Sequence, residues 1–301
     1  MCKKIYMKLI IMTSILILLI VLGSFYDYQI ANKVYLGQNA SNNFYGILFS
    51  YIGILPAFGG WSFLGASILP LRKKYNKKAS GWLLALSILL FVLSYLHIAN
   101  TIMMVNEKAF EVHWTIAYSI GMIVTLGCAY LGYILAEKSK NENLLNMILF
   151  VILISFITFI ITMSVKGIMG RPRFRFILEM DVDPTQLFKN WWEMGHELKA
   201  CIPSNLIGDE FSSFPSGHSS YSMFAIFIFP LLAEYNENLK KYKNTLFILG
   251  VVWWVLTAFS RLTVGAHYLT DVCFGGLVTI LAYLISLGVK WIIIKSKIKK
   301  S

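Results

Sequence analysis

Residues 145–165, LNMILFVILISFITFIITMSV, carry no charged side chain and end directly against the basic stretch Lys166-Gly-Ile-Met-Gly-Arg171-Pro172-Arg173. At about 1.5 Å of rise per residue, roughly 20 apolar residues in a helix cross the roughly 30 Å of hydrocarbon in a bilayer. The run therefore reads as a membrane span, and as a helix, because lipid offers no partner to an unpaired backbone group. Seven further apolar runs fall near residues 7–26, 45–71, 81–101, 115–136, 219–234, 245–260 and 271–294. The whole chain agrees: 57% of its 301 residues are hydrophobic and 14% charged, against about 25% charged in soluble domains. The expected fold is all-α, a polytopic transmembrane helix bundle of about eight spans.

The net charge of +12 is read by position before it is read as a partner. Eighteen of the 27 Lys and Arg fall in alternate connections, within residues 3–8, 72–78, 138–140, 240–243 and 290–300. By the positive-inside rule that side is cytoplasmic, which places both termini inside. Attraction to nucleic acid is not needed to explain the charge. The first run follows a basic start but no Ala-x-Ala cleavage site follows it, so it reads as an uncleaved span. Cys2, Cys128, Cys201 and Cys273 are scattered and imply neither a disulfide framework nor a metal cluster.

The chain divides in what it carries. Residues 1–144 hold about four spans with little reactive chemistry; residues 145–301 hold the remaining spans, a long outer loop at 166–218 and a cytoplasmic C-terminal tail. Loops of that length usually carry function. Within it Asp183-Pro184 reads as an N-cap and first helical position. Phe188, Trp191, Trp192 and Leu198 then recur at near-helical spacing. They describe either an interfacial helix on the outer leaflet or a helix packed on the bundle.

Three clusters carry chemistry. After the span at 145–165, Lys166, Arg171 and Arg173 offer a point charge and two planar forks, a set suited to a phosphate dianion. A basic flank anchoring a span to headgroups would use the same residue types. Phe214-Pro215-Ser216-Gly217-His218 sets a tight turn before a helix, where Ser216, Gly217 and the helix start provide donors for an anion; an ordinary span-entry cap explains the serines but not the imidazole. Finally, Ser260-Arg261 precede His267 and Asp271. The last two are four apart, so on a helix the carboxylate can accept the Nδ1 proton and leave Nε2 as a nucleophile. A structural Arg261–Asp271 ion pair is the alternative. His97 and His113 read as interfacial polar groups, and His196 sits on the Trp-rich loop.

In order and content these clusters resemble the signature of the type 2 phosphatidic acid phosphatase superfamily, whose bacterial-type integral membrane members carry a Lys, six residues and Arg-Pro; then Pro-Ser-Gly-His; then Ser-Arg, five residues, His, three residues, Asp. Here these are Lys166 to Arg173, Pro215 to His218, and Ser260 to Asp271. Phe174 stands where the family has proline, and an Arg-Pro pair occurs two residues early at Arg171-Pro172. Spacing favours Arg173 as the phosphate ligand and leaves Arg171 in reserve. The resemblance covers about residues 145–294 and implies a helical phosphatase core in the C-terminal half.

It further implies that His267 attacks phosphorus, with Asp271 supporting the imidazolium and His218 serving as acid and then base. Lys166, Arg173, Ser216, Gly217 and Arg261 would bind the phosphate oxygens. No metal or other cofactor is expected. The implied partner is a membrane lipid phosphate in the bilayer: an isoprenoid pyrophosphate, phosphatidate or phosphatidylglycerophosphate. The expected setting is the plasma membrane of a bacterium, with the active site on the outer face. A lipid phosphotransferase would use the same site. A transporter would instead need ionisable residues near mid-span.

Overall fold

The computed structural model describes residues 2–39, 41–109, 113–203 and 208–298, and among them the regular structure is entirely helical. The helices are α1 (Cys2–Val34), α2 (Phe44–Ile52), α3 (Phe58–Leu71), α4 (Lys77–Ala109), α5 (Trp114–Lys138), α6 (Leu144–Met169) and α7 (Phe174–Glu179). They continue as α8 (Pro184–Leu187), α9 (His196–Ala200), α10 (Gly217–Met223), α11 (Ala225–Tyr235), α12 (Lys243–Thr263) and α13 (Leu269–Ile298). Lys299 and Lys300, counted above among the cytoplasmic cations, lie outside the described residues.

Among the described residues six segments are long and apolar enough to cross a membrane: Ile5–Val34, Lys77–Val105, Trp114–Lys138, Leu144–Glu179, Glu237–Thr263 and Leu269–Ile293. The other two stretches expected to span are not continuous helices of that length, and each holds a pair of shorter helices. Residues 45–71 break into α2 and α3 across the turn at Gly53–Ala57, and residues 219–234 break at Phe224 between α10 and α11.

The chain forms two compact units whose boundaries cut across a simple division at residue 144. One comprises Met1–Gln38, Ile154–Ser220 and Ala258–Ser301; the other Asn39–Leu153 and Tyr221–Thr257. In the second unit α3, α4 and α5 pack together, and small residues set their separation. A Cβ on Gly132 would lie 2.0 Å from the Phe63 carbonyl oxygen, and one on Gly121 2.9 Å from Ala99. Such small-residue contacts are how apolar helices gain dispersion where lipid removes the hydrophobic drive. Here His97 stacks on Phe58 at 4.4 Å, and His113 caps α5 by accepting the Thr115 N–H.

In the first unit α1 packs along α13. Its loop-side core gathers Ala31, Phe174, Phe176, Ile177, Phe211 and Tyr268. Phe174 is fully buried, with ring centroids 5.8 Å from Tyr28, 5.7 Å from Tyr35 and 6.1 Å from Tyr268. The residue that departs from the family pattern therefore fills a core position, where burial of an aromatic ring is worth about 1.5–3 kcal/mol.

The long helix expected across the Trp-rich loop does not form. Asp183 caps as anticipated, its Oδ1 accepting the Thr185 N–H at 2.9 Å, but α8 lasts one turn. Tertiary contacts override the spacing. Trp191 donates Nε1–H to Ser24 Oγ at 2.9 Å and packs on Phe274 at 4.6 Å, and Gly195 donates to the Met169 carbonyl at 2.9 Å. Trp191 is thus drawn inward while Trp192 stays 52% exposed.

Candidate active site

The third cluster is shaped by how α12 ends and α13 begins. Gly265 has φ +62° and donates to the Leu262 carbonyl at 3.0 Å, while Ala266 donates to that of Arg261, also at 3.0 Å. That pair of bonds is a Schellman cap, and the left-handed residue it needs is the glycine. A Cβ there would lie 2.8 Å from the Tyr35 ring. The cap reverses the chain so that Arg261 in the last turn of α12 and His267 just before α13 share one end of the unit. α13 then opens with Asp271 reaching back, its Oδ2 accepting the Tyr268 N–H at 2.9 Å, as the acidic member of a capping box does.

His267 is buried, at 2% exposure. Its Nδ1 donates to the Ser213 carbonyl at 2.6 Å, and Asp271 Oδ2 lies 3.8 Å from the same nitrogen. The expected carboxylate is therefore the second neighbour and a backbone carbonyl the first. The consequence for the ring is unchanged, because an acceptor at Nδ1 fixes the tautomer and leaves the Nε2 lone pair outward. Asp271 is joined to this pair through Ser213, whose hydroxyl donates to Oδ2 at 2.5 Å. Burial above all, reinforced by the positive fields of Lys166 and Arg173 and opposed by Asp271, pushes the His267 imidazole down to about 3. The ring is neutral, as a nucleophile must be.

Cations surround it. Lys166, in the last turn of α6, donates to the Ser212 carbonyl. Arg173 is held by its backbone N–H on the Glu210 carbonyl at 2.8 Å and pairs with Asp209, which is 36% exposed. Its buried Nε has no hydrogen-bond partner, a cost that an incoming oxyanion would relieve. Arg261 is buried, with Nη2 on Ser260 Oγ at 3.0 Å. Arg175, which the sequence did not single out, forms a two-pronged pair with Glu210 at 2.8 and 3.0 Å.

Arg171 is placed differently. It is wholly buried, and each guanidinium nitrogen is committed to protein: Nε to the Lys189 carbonyl at 2.8 Å, Nη1 to Asp271 Oδ1 at 2.5 Å and Thr270 Oγ1 at 3.0 Å, Nη2 to Asp27 Oδ2 at 3.0 Å. The reserve phosphate ligand is therefore a buried brace behind Asp271, with the Tyr268 ring 4.0 Å from its guanidinium carbon.

In the second cluster Ser216 caps α10. Its Oγ accepts the Ser219 N–H at 3.3 Å, and its own N–H donates to the Asp271 carbonyl at 3.0 Å. That bond and the Ser219 hydroxyl on the Val272 carbonyl at 2.5 Å tie the start of α10 to the start of α13. Close packing at Gly275, where a Cβ would lie 2.6 Å from the Ser216 carbonyl oxygen, permits both. His218 follows, half-buried. His196 is exposed and donates Nε2–H to the Ile168 carbonyl at 2.6 Å, on the loop rather than among the cations.

Sequence reasoning missed Asp27, Ser213 and Thr270. The available signal for Asp27 was the single acidic residue of the first helix, one position past the apolar run at 7–26; a carboxylate at the end of such a run is by default functional or paired.

The family model of the PAP2 superfamily matches residues 143–295, about half of the chain and all three clusters. No curated protein and no solved structure matches the chain.

Proposed function

Because the chain belongs to the PAP2 superfamily, whose enzymes act on phosphate esters and are typically phosphatases, we propose that it hydrolyses a phosphomonoester or pyrophosphate on a membrane lipid through a phosphohistidine at His267. The observation that carries this is the neutral, Nδ1-anchored His267 lying in the field of Lys166 and Arg173. In the first step the Nε2 lone pair attacks phosphorus, the bond from phosphorus to the leaving oxygen breaks, and His218 gives that oxygen its proton. In the second, His218 takes a proton from water, the water oxygen attacks, and the P–N bond breaks to release phosphate and free His267. Lys166, Arg173 and Arg261, with the Ser216 hydroxyl and the Gly217 N–H, stabilise charge that builds on the non-bridging oxygens. Asp271 steadies the imidazolium.

The substrate end of the reaction lies at the outer face in this reading, with both termini cytoplasmic. Its support is the basic bias of the alternate connections. An impermeant thiol reagent on intact cells should label a cysteine introduced at Gly208 and spare one at Asn76, in a background lacking the native cysteines; labelling at Asn76 alone inverts the assignment. The activity is tested by phosphate release from purified protein in detergent with a chelator present. The panel is an isoprenoid pyrophosphate, phosphatidate and phosphatidylglycerophosphate. Turnover of at least one is expected, and none would refute the phosphatase reading. Appearance of phosphate on an added lipid alcohol instead of in solution would identify a phosphotransferase.

A further inference from the structure

α1 contains one acidic residue, Asp27, and it is 3% exposed. A carboxylate buried in an apolar helix needs compensating partners, and those of Asp27 all belong to the site. Oδ1 accepts the Thr270 N–H at 3.0 Å, capping α13 from outside. Oδ2 accepts Arg171 Nη2–H at 3.0 Å and the Thr270 hydroxyl. One turn earlier, a Cβ on Gly23 would lie 2.7 Å from Thr270 Cγ2, so the glycine permits the approach.

Arg171 thus stands between two carboxylates, Asp27 and Asp271. Paired with Asp271 alone, it would make a neutral couple, and the positive ring formed when His267 accepts a phosphoryl group would gain little from it. A second carboxylate changes the sum: two negative charges and one positive leave the buried cluster at minus one. Among the charged groups near His267, the cations Lys166 and Arg173 oppose a positive ring and make that residual charge matter more. Geometry points the same way. With Oδ1 held by Arg171, Asp271 presents Oδ2 to the Ser213 hydroxyl and to His267.

We propose that Asp27, on the first helix, is a positioning residue for the phosphoryl transfer: it shares Arg171 with Asp271, fixing that carboxylate and leaving it a net negative charge to hold the imidazolium at His267. This rests on the phosphohistidine reading above and extends it to a helix outside the matched family region.

The test uses the full chain in detergent with p-nitrophenyl phosphate. Asp27→Asn keeps the shape and removes the charge. It should lower kcat by about 10- to 100-fold, the loss typical when a partner that orients a histidine is removed, while KM stays within about threefold. The double variant Asp27→Asn/Arg171→Met removes both compensating charges and should bring kcat back to within about tenfold of wild type. A merely structural role makes the double variant worse than the single one. The proposal is overturned by an Asp27→Asn kcat within twofold of wild type, or by a double variant slower than the single. Should Asp27→Asn fail to fold, the double variant, in which Asp271 keeps the Ser213 hydroxyl and the Tyr268 N–H as donors, decides alone. Its own failure to fold would count against the proposal, since the charges would then serve the fold. A wild type inactive on p-nitrophenyl phosphate and on the lipid panel alike brings down the phosphatase reading and this one together, whereas an active wild type with an indifferent Asp27→Asn brings down this one only.

Discussion

The two compact units bury different kinds of polar group. Asp27, Arg171, Arg173, Arg175, Arg261, His267 and Asp271, the buried acidic, basic and histidine side chains among the described residues, all belong to the first unit. The second buries Asn43 and hydroxyls such as Ser62, Ser67, Ser94 and Thr125. Most of these bond within their own helix, as Thr125 does to the Gly121 carbonyl at 2.8 Å. A hydroxyl satisfied one turn back costs a helix little, whereas a buried ion demands partners from other segments. The difference is one of construction. One unit is built around a charge network and the other around small-residue helix packing.

The largest effect that would sharpen this contrast is on turnover. His267→Ala should lower phosphate release by at least about 100-fold with thermal unfolding in detergent little changed. Retention of a tenth of the activity would remove the nucleophile from the scheme. Next come the two arginines, so close in sequence and so unlike in setting. Arg171→Met leaves Asp27 and Asp271 facing each other and should destabilise by about 3–5 kcal/mol, as breaking a buried ion network does. Arg173→Ala, next to the partly exposed Asp209, should leave stability nearly intact and lower kcat/KM about 100-fold, the usual loss for one oxyanion donor. Equal losses of stability in both would erase the distinction between brace and ligand.

A smaller effect comes from pH. His267 is held neutral by burial down to about 3, while in the unfolded chain it takes up a proton near pH 6.5. Its contribution to stability is therefore complete above about pH 6.5 and is lost as pH falls toward 3. Between pH 7 and pH 5 the Tm of the wild type should drop more than that of His267→Ala; parallel curves would mean the imidazole is solvated. Smallest of all is the second unit's Ser94, whose buried hydroxyl has no hydrogen-bond partner. Ser94→Ala should change stability by less than about 1 kcal/mol and turnover not at all, and a loss of activity there would break the division between the units.

Much of this was legible along the chain. A lipid-spanning helix is written in contiguous residues, and so are the second and third clusters, because a turn or a single helix end brings their members together. Ser216 and His218 stand at the start of α10, and Arg261, His267 and Asp271 surround one Schellman turn. What lay out of reach was set by packing between distant segments. Asp27 meets Asp271 through Arg171 and Thr270, and the Ser213 carbonyl accepts the Nδ1–H that spacing assigned to Asp271. The reserve role for Arg171 followed from the displaced Arg-Pro pair, and its burial against two carboxylates, which spacing does not report, sets it apart from Arg173. The Trp-rich segment had helical spacing, yet the contacts of Trp191 with Ser24 and Phe274 outweigh a periodicity shared with many loops.

The most direct test of phosphohistidine chemistry at His267 is to trap the intermediate. Purified protein is mixed with a ³²P-labelled aryl phosphate and quenched in alkali within milliseconds, with the His218→Ala variant run alongside; a good leaving group needs no acid, so that variant should accumulate label. The expected result is protein-bound phosphate that survives alkali, is lost in acid, maps to the peptide containing His267 and is absent from His267→Ala. Label of the same stability in His267→Ala, or an active wild type that never carries label, would contradict it.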